Sequence, residues 1–201
     1  MSPRVLVIGG GVIGAATAYF LAARHGLRAT VLERDPSYRR ASSALSASSI
    51  RQQFSTRENI LLSRFSIEFV RAAHRLLAVE GEAPQLGLVE AGYLFLATQA
   101  GLPILERNHA LQEELGAEVV LLSPAEIKGR FPWLEVEGLA AGSLGLRGEG
   151  WLDPHSLLQA LKRKSRALGV EYLRDEVVGM RTLNHRVESV TLAGGGTQLV
   201  G

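Results

Sequence analysis

The sequence predicts an α/β fold in which a parallel β-sheet is covered by helices. A short apolar run from Arg4 to Ile8 is typical of a strand buried on both faces. Helical spacing follows from Val12 to Ala23, and Gly26 marks its end. A second apolar run, Ala29 to Leu32, then stops at Glu33. Strand, glycine turn, helix and strand within about thirty residues form a βαβ unit.

The composition is that of an ordinary globular protein. The 201 residues are 46% hydrophobic and 21% charged, and 22 basic against 20 acidic side chains leave a net charge of +2. Such a balance does not indicate a nucleic-acid partner. There is no cysteine, and the five histidines lack metal-ligand spacing, so we expect neither disulfides nor a metal site. No signal peptide and no apolar run of about eighteen residues is seen. We therefore predict a cytoplasmic protein without a membrane span.

The turn of this βαβ unit carries the first functional motif. Gly9, Gly11 and Gly14 satisfy G-x-G-x-x-G directly after a strand and at the start of a helix. The three glycines serve a tight turn, close approach of a diphosphate, and packing of the helix on the sheet. Val12 and Ile13 lie between them, at a helix N-terminus whose amides and dipole stabilise phosphate charge. The motif predicts a Rossmann-like domain that binds a dinucleotide.

Glu33 supports this interpretation. It ends the second strand, nineteen residues after Gly14, where a carboxylate accepts hydrogen bonds from an adenosine ribose. The same charge repels a 2′-phosphate, which disfavours NADP. The βαβ unit alone does not separate FAD from NAD. A serine-rich stretch, Ala41 to Phe54, follows in place of the next helix and strand, and its hydroxyl and amide groups favour FAD.

Further elements follow from local signals. Ser55 and Glu58 predict a capping box and a long helix to about Glu80. Its predicted buried stripe consists of Leu62, Phe65, Phe69, Ala73 and Leu76.

Later in the chain, Ser123 and Asp153 are each followed by proline and predict two helix starts. The pair Asn184–His185 separates two strand-like runs and predicts a hairpin. The basic cluster Lys162–Arg166 is expected on a solvated helix face.

Several segments together resemble the D-amino-acid oxidase/sarcosine oxidase family of FAD-dependent oxidoreductases, which includes glycine oxidase-like proteins. They are VIGGGVIGAATAYFLA, LERD, ASSALSASSIRQQF, GYLFLAT, and GWLDPHSLLQAL with the following DEVVGM. Such proteins oxidise a C–N bond of an amino acid or secondary amine by hydride transfer to flavin. The resemblance implies an FAD enzyme with a small amine or amino-acid substrate, and oxygen or an electron carrier as acceptor.

The resemblance also implies roles for single residues on the nucleotide side. The turn Gly9–Gly14 would meet the diphosphate, and Glu33 and Arg34 would bind the adenosine. Val177 would hold the adenine through its backbone groups.

On the flavin side, Ser42 and Ser43 would lie near the phosphates, and Ser48 and Ser49 near the flavin ring. Arg51 would also lie near the ring, where a cation stabilises negative charge on the reduced flavin or steers a substrate carboxylate. The alternative for Arg51 is an ordinary surface arginine before the next helix.

Two departures from the family qualify the resemblance. Some relatives attach flavin covalently through a cysteine in the second half or a histidine in the loop corresponding to residues 41–54. Neither is present, so we predict non-covalent FAD. Family members also run to about twice this length, and we expect the chain to be the N-terminal half of a longer enzyme or a truncated product.

The predicted domains are an FAD-binding domain in two parts, residues 1–80 and 149–201, around a partial α+β substrate domain at 81–148. The alternative functions are a non-catalytic flavin-binding scaffold or assembly factor, and an NAD-dependent dehydrogenase.

Overall fold

The computed structural model describes residues 5–200, which divide into two compact units. The first unit comprises residues 5–46, 73–86 and 153–200, and the second comprises residues 47–72 and 87–152. The helices are α1 (Val12–His25), α2 (Arg57–Arg71), α3 (Ala73–Leu76), α4 (Leu102–Glu114), α5 (Pro124–Arg130) and α6 (Pro154–Ala167). The strands are β1 (Val5–Ile8), β2 (Ala29–Glu33), β3 (Ser49–Ile50), β4 (Leu94–Ala97), β5 (Val119–Leu122), β6 (Ala141–Gly145), β7 (Gly150–Trp151), β8 (Glu171–Arg174), β9 (Val177–Leu183), β10 (Arg186–Leu192) and β11 (Thr197–Leu199).

The first unit confirms the predicted α/β layers. Strands β1, β2 and β8 form a parallel sheet in the order β1-β2-β8. Helix α1 packs on α6, and a core of Ala18, Ala29, Val31 and Val170 joins α1 to the sheet. Strands β9, β10 and β11 form an antiparallel meander that contacts the sheet through Leu32 and β10. The unit is therefore built as helices, parallel sheet and meander, the layers expected of an FAD-binding domain.

The predicted βαβ unit is confirmed where the structure describes it. Arg4, the first residue of the predicted strand, lies outside the described residues. Gly26 ends α1 at φ +63°, and its amide donates to the carbonyl of Ala22 at 3.1 Å. This left-handed cap is the termination that a glycine permits.

The two proline-led helix starts are also confirmed. Ser123 caps α5 in a capping box, because its hydroxyl accepts from the Glu126 amide while the Glu126 carboxylate accepts from the Ser123 amide. Asp153 caps α6 and accepts from the His155 amide at 2.9 Å. Both helices therefore begin where local sequence directs.

The hairpin prediction is confirmed as well. Asn184 and His185 connect β9 to β10 with φ values of +48° and +60°. Two positive φ angles in a two-residue loop match the right-handed twist of the flanking strands.

The long helix predicted from Ser55 to Glu80 is wrong in its start, length and buried face. Helix α2 begins after Thr56, which makes no side-chain capping bond, and ends at Arg71. The chain passes from the second unit to the first at residues 72–73, so α3 is a separate helix.

The core-facing stripe of α2 is Ile60, Ile67 and Val70, whereas Leu62 and Phe65 of the predicted stripe are exposed. Only Ala73, now in α3, is buried as expected. The segment carries two adjacent apolar stripes, and its spacing does not determine which one meets the core.

The basic cluster Lys162–Arg166 is only partly solvated. Lys162 is 8% exposed, and its ammonium lies 4.4 Å from the ring centroid of Tyr38 and 5.6 Å from that of Tyr172. Burial lowers the pKa of Lys162. Its long aliphatic stem makes such burial tolerable, and the aromatic faces attract the cation.

The second unit is mainly antiparallel. Strands β4, β6 and β5 form one sheet in that order, and β3 pairs with β7. The run Leu88–Thr98 has the pattern of a strand with a glycine interruption, and the structure places the break at Gly92 (φ +82°), with β4 formed by the part after it.

The compact units divide the chain differently from the predicted domains. Residues 47–72 pack within the second unit, and the chain re-enters the first unit at Asp153. Within residues 5–200, no helix has both the length and the apolar character needed to cross a bilayer.

Candidate cofactor site

The site of the first unit begins at the turn between β1 and α1. Gly9 has φ +95°, and its amide donates to the carbonyl of Leu32 at 2.8 Å, which fixes the turn against the neighbouring strand. No atom would meet a side chain within 4 Å at Gly9 or Gly11, so both backbones face open space. A β-carbon at Gly14 would lie 1.8 Å from the carbonyl oxygen of Gly9. Gly14 thus sets the close approach of helix and turn.

Helix α1 presents a free N-terminus at this turn. Gly11 is its N-cap, makes no side-chain capping bond, and no acidic residue occupies the first turn. Its first amides therefore keep their capacity for an external acceptor. The helix has 14 residues, and its dipole adds positive potential at the same end.

Glu33 is held rigidly beside the turn. Its Oε2 accepts from the Gly10 amide at 2.7 Å, and its Oε1 accepts from the Asp35 amide at 2.8 Å. Two backbone donors therefore fix the carboxylate before any ligand is present, while further lone pairs remain available. A preorganised acceptor lowers the entropy lost on binding a ribose.

Tyr38 lies behind this carboxylate and was not identified from the sequence. It is buried, adopts φ +55°, and its hydroxyl would stand 3.1 Å from a β-carbon at Gly10. Burial, followed by the nearby Glu33 charge, raises the pKa of Tyr38 to about 12. Gly10 is thus small because Tyr38 and Glu33 occupy the space a side chain would need.

One cavity of about 670 Å³ joins these features within the first unit. Ten of the thirteen predicted cofactor residues line it: Gly9, Gly11, Val12, Ile13, Gly14, Glu33, Arg34, Ser42, Ser43 and Val177.

The lining also includes residues that sequence reasoning missed: Asp35, Tyr38, Arg40, Asp175 and Glu176. Arg40 directly precedes the serine-rich stretch, so its position was the available signal for a phosphate partner.

Around Glu33 the charges of the cavity lining are mostly negative. Arg34 pairs with Glu176 at 3.0 Å on the exposed surface. Asp35 accepts two hydrogen bonds from Ser37, which lower the pKa of Asp35. With Glu33 nearby, an additional phosphate on the ribose would meet repulsion.

The remaining three predicted residues belong to the second unit. Ser48 adopts φ +57°, unusual for a residue with a side chain, and Ser49 pairs with Trp151 between β3 and β7. The guanidinium carbon of Arg51 lies 4.8 Å from the ring centroid of Phe54 and 5.3 Å from that of Phe95. Their approach to flavin stays a prediction.

Comparison with known proteins identifies the family. The family profile described as "FAD dependent oxidoreductase" matches residues 4–200. The chain belongs to this family of FAD-dependent oxidoreductases. FAD is the family's cofactor, so membership favours FAD over the NAD-dependent alternative.

Three relatives illustrate the match. FAD-dependent oxidoreductase domain-containing protein 1 of Bos taurus is 42% identical over 192 residues, which cover 93% of this chain and 40% of the relative. The structure of L-proline dehydrogenase from P. horikoshii matches with a TM-score of 0.79 and 27% identity, over 96% of this chain and 50% of that one. Glycine oxidase from Geobacillus kaustophilus matches with a TM-score of 0.76 and 26% identity, over 99% and 54%. The chain thus spans 40% of that curated relative and about half of each structure.

The first unit fits the adenosine diphosphate half of FAD. The bare backbone at Gly9 and Gly11 leaves room for a diphosphate, and the free amides of α1 face it. The fixed carboxylate of Glu33 offers acceptors for ribose hydroxyls. These features are general to dinucleotide sites, while the choice of FAD comes from the family.

Proposed function

We propose that the protein is an FAD-dependent oxidoreductase that oxidises the C–N bond of an amino acid or an N-methylated amine. The observation that carries the cofactor part of the proposal is the pairing of a bare Gly9–Gly14 turn with a preorganised Glu33 carboxylate in one cavity, and similar structures support the C–N substrate. Two structures of similar fold belong to enzymes named for proline and glycine, which are an amino acid with a secondary amine and one with a primary amine.

Bound flavin supplies a two-electron acceptor for the hydride removed from the substrate carbon. This chain's residues bind and orient it. The α1 amides and Arg40 counter the diphosphate charge, Ser42 and Ser43 add hydroxyl donors, and Glu33 fixes the ribose. Residues 41–54 contain no histidine, which disfavours a covalent link to flavin through that loop.

Arg51 is the residue we assign to the reaction centre. Its guanidinium rests on two aromatic rings of the second unit, and such stacking fixes a cation at low entropic cost. A fixed cation near the reacting atoms stabilises negative charge on reduced flavin or steers a substrate carboxylate. Oxygen or an electron carrier takes the electrons afterwards.

Anaerobic reduction tests the function. The complete protein, loaded with FAD, is mixed with glycine, proline or N-methylglycine, and absorbance at about 450 nm is followed, since loss of that band reports flavin reduction. We expect at least one amine to bleach the flavin, and glycolate, the hydroxy-acid counterpart of glycine, to leave it unchanged. Bleaching by the hydroxy acid alone contradicts C–N oxidation. If the bound flavin stays oxidised with every amine, the result contradicts the proposal and favours the alternative of a non-catalytic flavin-binding scaffold.

A further inference from the structure

Glu149 is a carboxylate buried without a counter-ion. It is 0% exposed and lies between β6 and β7. Among residues 5–200, the structure gives it no salt bridge. A buried carboxylate is strongly destabilising unless hydrogen-bond donors replace the water it loses. Its presence therefore requires a structural or functional reason.

The donors come from the segment that directly follows Arg51. The Glu149 Oε1 accepts from the Gln52 amide at 2.6 Å and from the Gln53 amide at 3.0 Å. Its Oε2 accepts from Gln53 Nε2 at 2.8 Å. One carboxylate thus fixes two consecutive peptide groups and one side chain, 96 to 97 residues away along the chain.

Glycines around Glu149 make room for this arrangement. A β-carbon at Gly145 would lie 1.8 Å from Glu149 Oε2, and one at Gly148 would lie 1.8 Å from Gln52 Nε2. Gly145 and Gly148 of the segment SLGLRGEGW are thus glycines because the carboxylate and its partner Gln52 fill the space that side chains would take. This use of glycine is separate from the cofactor turn.

A second set of bonds surrounds Gln53. Its Oε1 accepts from Ser143 Oγ at 2.7 Å, and its Nε2 donates to the Tyr93 carbonyl at 2.9 Å. The Phe54 carbonyl accepts from Gln112 Nε2 at 3.0 Å. The segment 52–54 is therefore tied to several elements of its own unit, and satisfied buried networks of this kind are rigid.

The rigid segment 52–54 restricts the position of Arg51, which directly precedes it. The Arg51 guanidinium lies against the rings of Phe54 and Phe95. Fixing the peptides of 52 and 53 fixes both the origin of the Arg51 side chain and the Phe54 ring on which it rests.

We propose that Glu149 is a positioning residue, which holds the segment 52–54 so that the Arg51 cation is presented in one orientation to an anion at the reaction centre. The inference rests on the proposed function, because it requires Arg51 to lie near bound flavin and to stabilise negative charge there. Glu149 itself does not touch the flavin.

The negative charge of Glu149 is required, and not only its shape. In Glu149→Gln an amide NH2 would face Gln53 Nε2, so two donors oppose each other. Rotating the Gln53 amide to remove that conflict turns its oxygen toward the Tyr93 carbonyl, so two acceptors then oppose each other. Either arrangement loses a buried bond and loosens the segment.

Sulfite binding to the FAD-loaded complete protein tests the inference. Sulfite bonds to flavin N5, removes the band at about 450 nm and leaves the ring negatively charged, so a nearby fixed cation strengthens its binding. We expect Arg51→Met to raise the sulfite dissociation constant about a hundredfold and Glu149→Gln about tenfold. The double variant should stay within about threefold of Arg51→Met, because Glu149 acts through Arg51. Glu137→Gln, at an exposed site of the same unit, is the control and should match the parent.

Each other outcome is decisive. An unchanged dissociation constant in Glu149→Gln, or effects that multiply in the double variant, overturns the inference while the function stands. A parent that binds no FAD overturns the proposed function, and an FAD-loaded parent that binds no sulfite overturns the inference. An unchanged sulfite dissociation constant in Arg51→Met shows that Arg51 does not act on the flavin, and this overturns the inference.

If Glu149→Gln fails to fold or to hold FAD, Gln53→Met replaces it. Sulfite binding is then compared between the parent, Gln53→Met, Arg51→Met and the double variant of these two. Gln53→Met removes the side-chain bonds of Gln53 but leaves both backbone amides on Glu149. A smaller rise of about threefold, absent when Arg51 is already replaced, is then expected. A rise that persists without Arg51 overturns the inference.

Discussion

At the residue scale, Gly14 has the least space of the motif glycines. Gly14→Ala would place a β-carbon 1.8 Å from the Gly9 carbonyl oxygen, which is backbone and cannot rotate away. We expect a loss of about 1–3 kcal/mol in unfolding free energy, because the helix must move off the turn. Urea unfolding measures it.

A matched control is Gly129→Ala in α5, where a β-carbon meets nothing within 4 Å. The unfolding free energy of that variant should rise by up to about 1 kcal/mol, because alanine has a higher helix propensity than glycine. Equal stability of the two variants would contradict the packing role of Gly14.

Glu33 gives a prediction about affinity. Glu33→Gln keeps the shape of the side chain but removes its negative charge. The Glu33 carboxylate accepts hydrogen bonds from the Gly10 and Asp35 amides, and we expect it to accept hydrogen bonds from the ribose hydroxyls as well. Hydrogen bonds to an ionised group contribute about 1.5–3 kcal/mol, so FAD should bind about 10- to 100-fold more weakly. Titration of flavin fluorescence measures the dissociation constant. Glu188→Gln in the meander is the control, and an equal effect there would contradict the assignment.

The residues of this site differ in how far sequence could predict them. Gly9, Gly11, Gly14 and Glu33 follow from a fixed spacing because the turn, helix and strand end are local. Gly10 and Tyr38 could not be predicted, since their contact depends on how the loop after β2 folds back on the turn.

At the scale of elements, the cap of α6 gives a pH-dependent prediction. Hydrogen bonds, first from the Ser156 hydroxyl and then from the Ser156 and His155 amides, lower the pKa of Asp153 in the folded state. The cap therefore contributes fully to the free energy of unfolding above the pKa of Asp153 in the unfolded chain, which is about 3.9. This contribution is lost as the pH falls through the lower pKa of Asp153 in the folded protein.

Asp153→Ala should cost about 1 kcal/mol at pH 7, and the difference from the parent should shrink below about pH 4. Urea unfolding from pH 7 to 3 measures this. Asp153→Asn keeps a capping oxygen that does not titrate. The difference in unfolding free energy between Asp153→Asn and Asp153→Ala should therefore stay constant from pH 7 to 3. A parent–alanine difference that does not change with pH would contradict the assignment.

The β9–β10 hairpin gives a stabilising prediction. His185 adopts φ +60° after Asn184 at φ +48°, and only glycine adopts this region without cost. His185→Gly should raise the unfolding free energy by up to about 1 kcal/mol. His185→Ala keeps the β-carbon and should gain nothing. A thermal shift shared by both variants would point to loss of the imidazole and not to backbone strain.

Except at Ser55, whose predicted capping box does not form, element prediction succeeded where the signal is local and failed where the partner is distant. Ser123, Asp153 and Asn184–His185 act within a few residues of themselves, and their elements were predicted. Helix α2 was misjudged because the end at Arg71 and the burial of Ile60 and Ile67 depend on which compact unit the chain joins.

At the scale of the whole molecule, the fold class was predictable because a βαβ unit and its glycine turn fix a parallel sheet with helices. The network of Glu149 was not, since its donors lie 96 to 97 residues earlier in the sequence. Gly145 and Gly148 of SLGLRGEGW were visible, but what they make room for is a long-range contact.

The apolar surface of the first unit also belongs to this scale. Strand β9 pairs only with β10 among the described strands, and its Val178 and Met180 are 61% and 63% exposed. An unpaired strand edge with apolar neighbours promotes association between chains. We expect the 201-residue chain, purified alone, to elute in size-exclusion chromatography at a size that rises with concentration. A monomer at all concentrations would contradict this.

The most direct test of the cofactor site is a competition measurement on the FAD-loaded protein. AMP and adenosine 2′,5′-bisphosphate, which differ only by the 2′-phosphate, are compared for their ability to displace FAD, and the recovery of flavin fluorescence is followed. We expect AMP to displace FAD and the 2′-phosphate to weaken displacement about tenfold or more, because the carboxylate of Glu33 repels it. Equal displacement by both nucleotides, or displacement by neither, would contradict it.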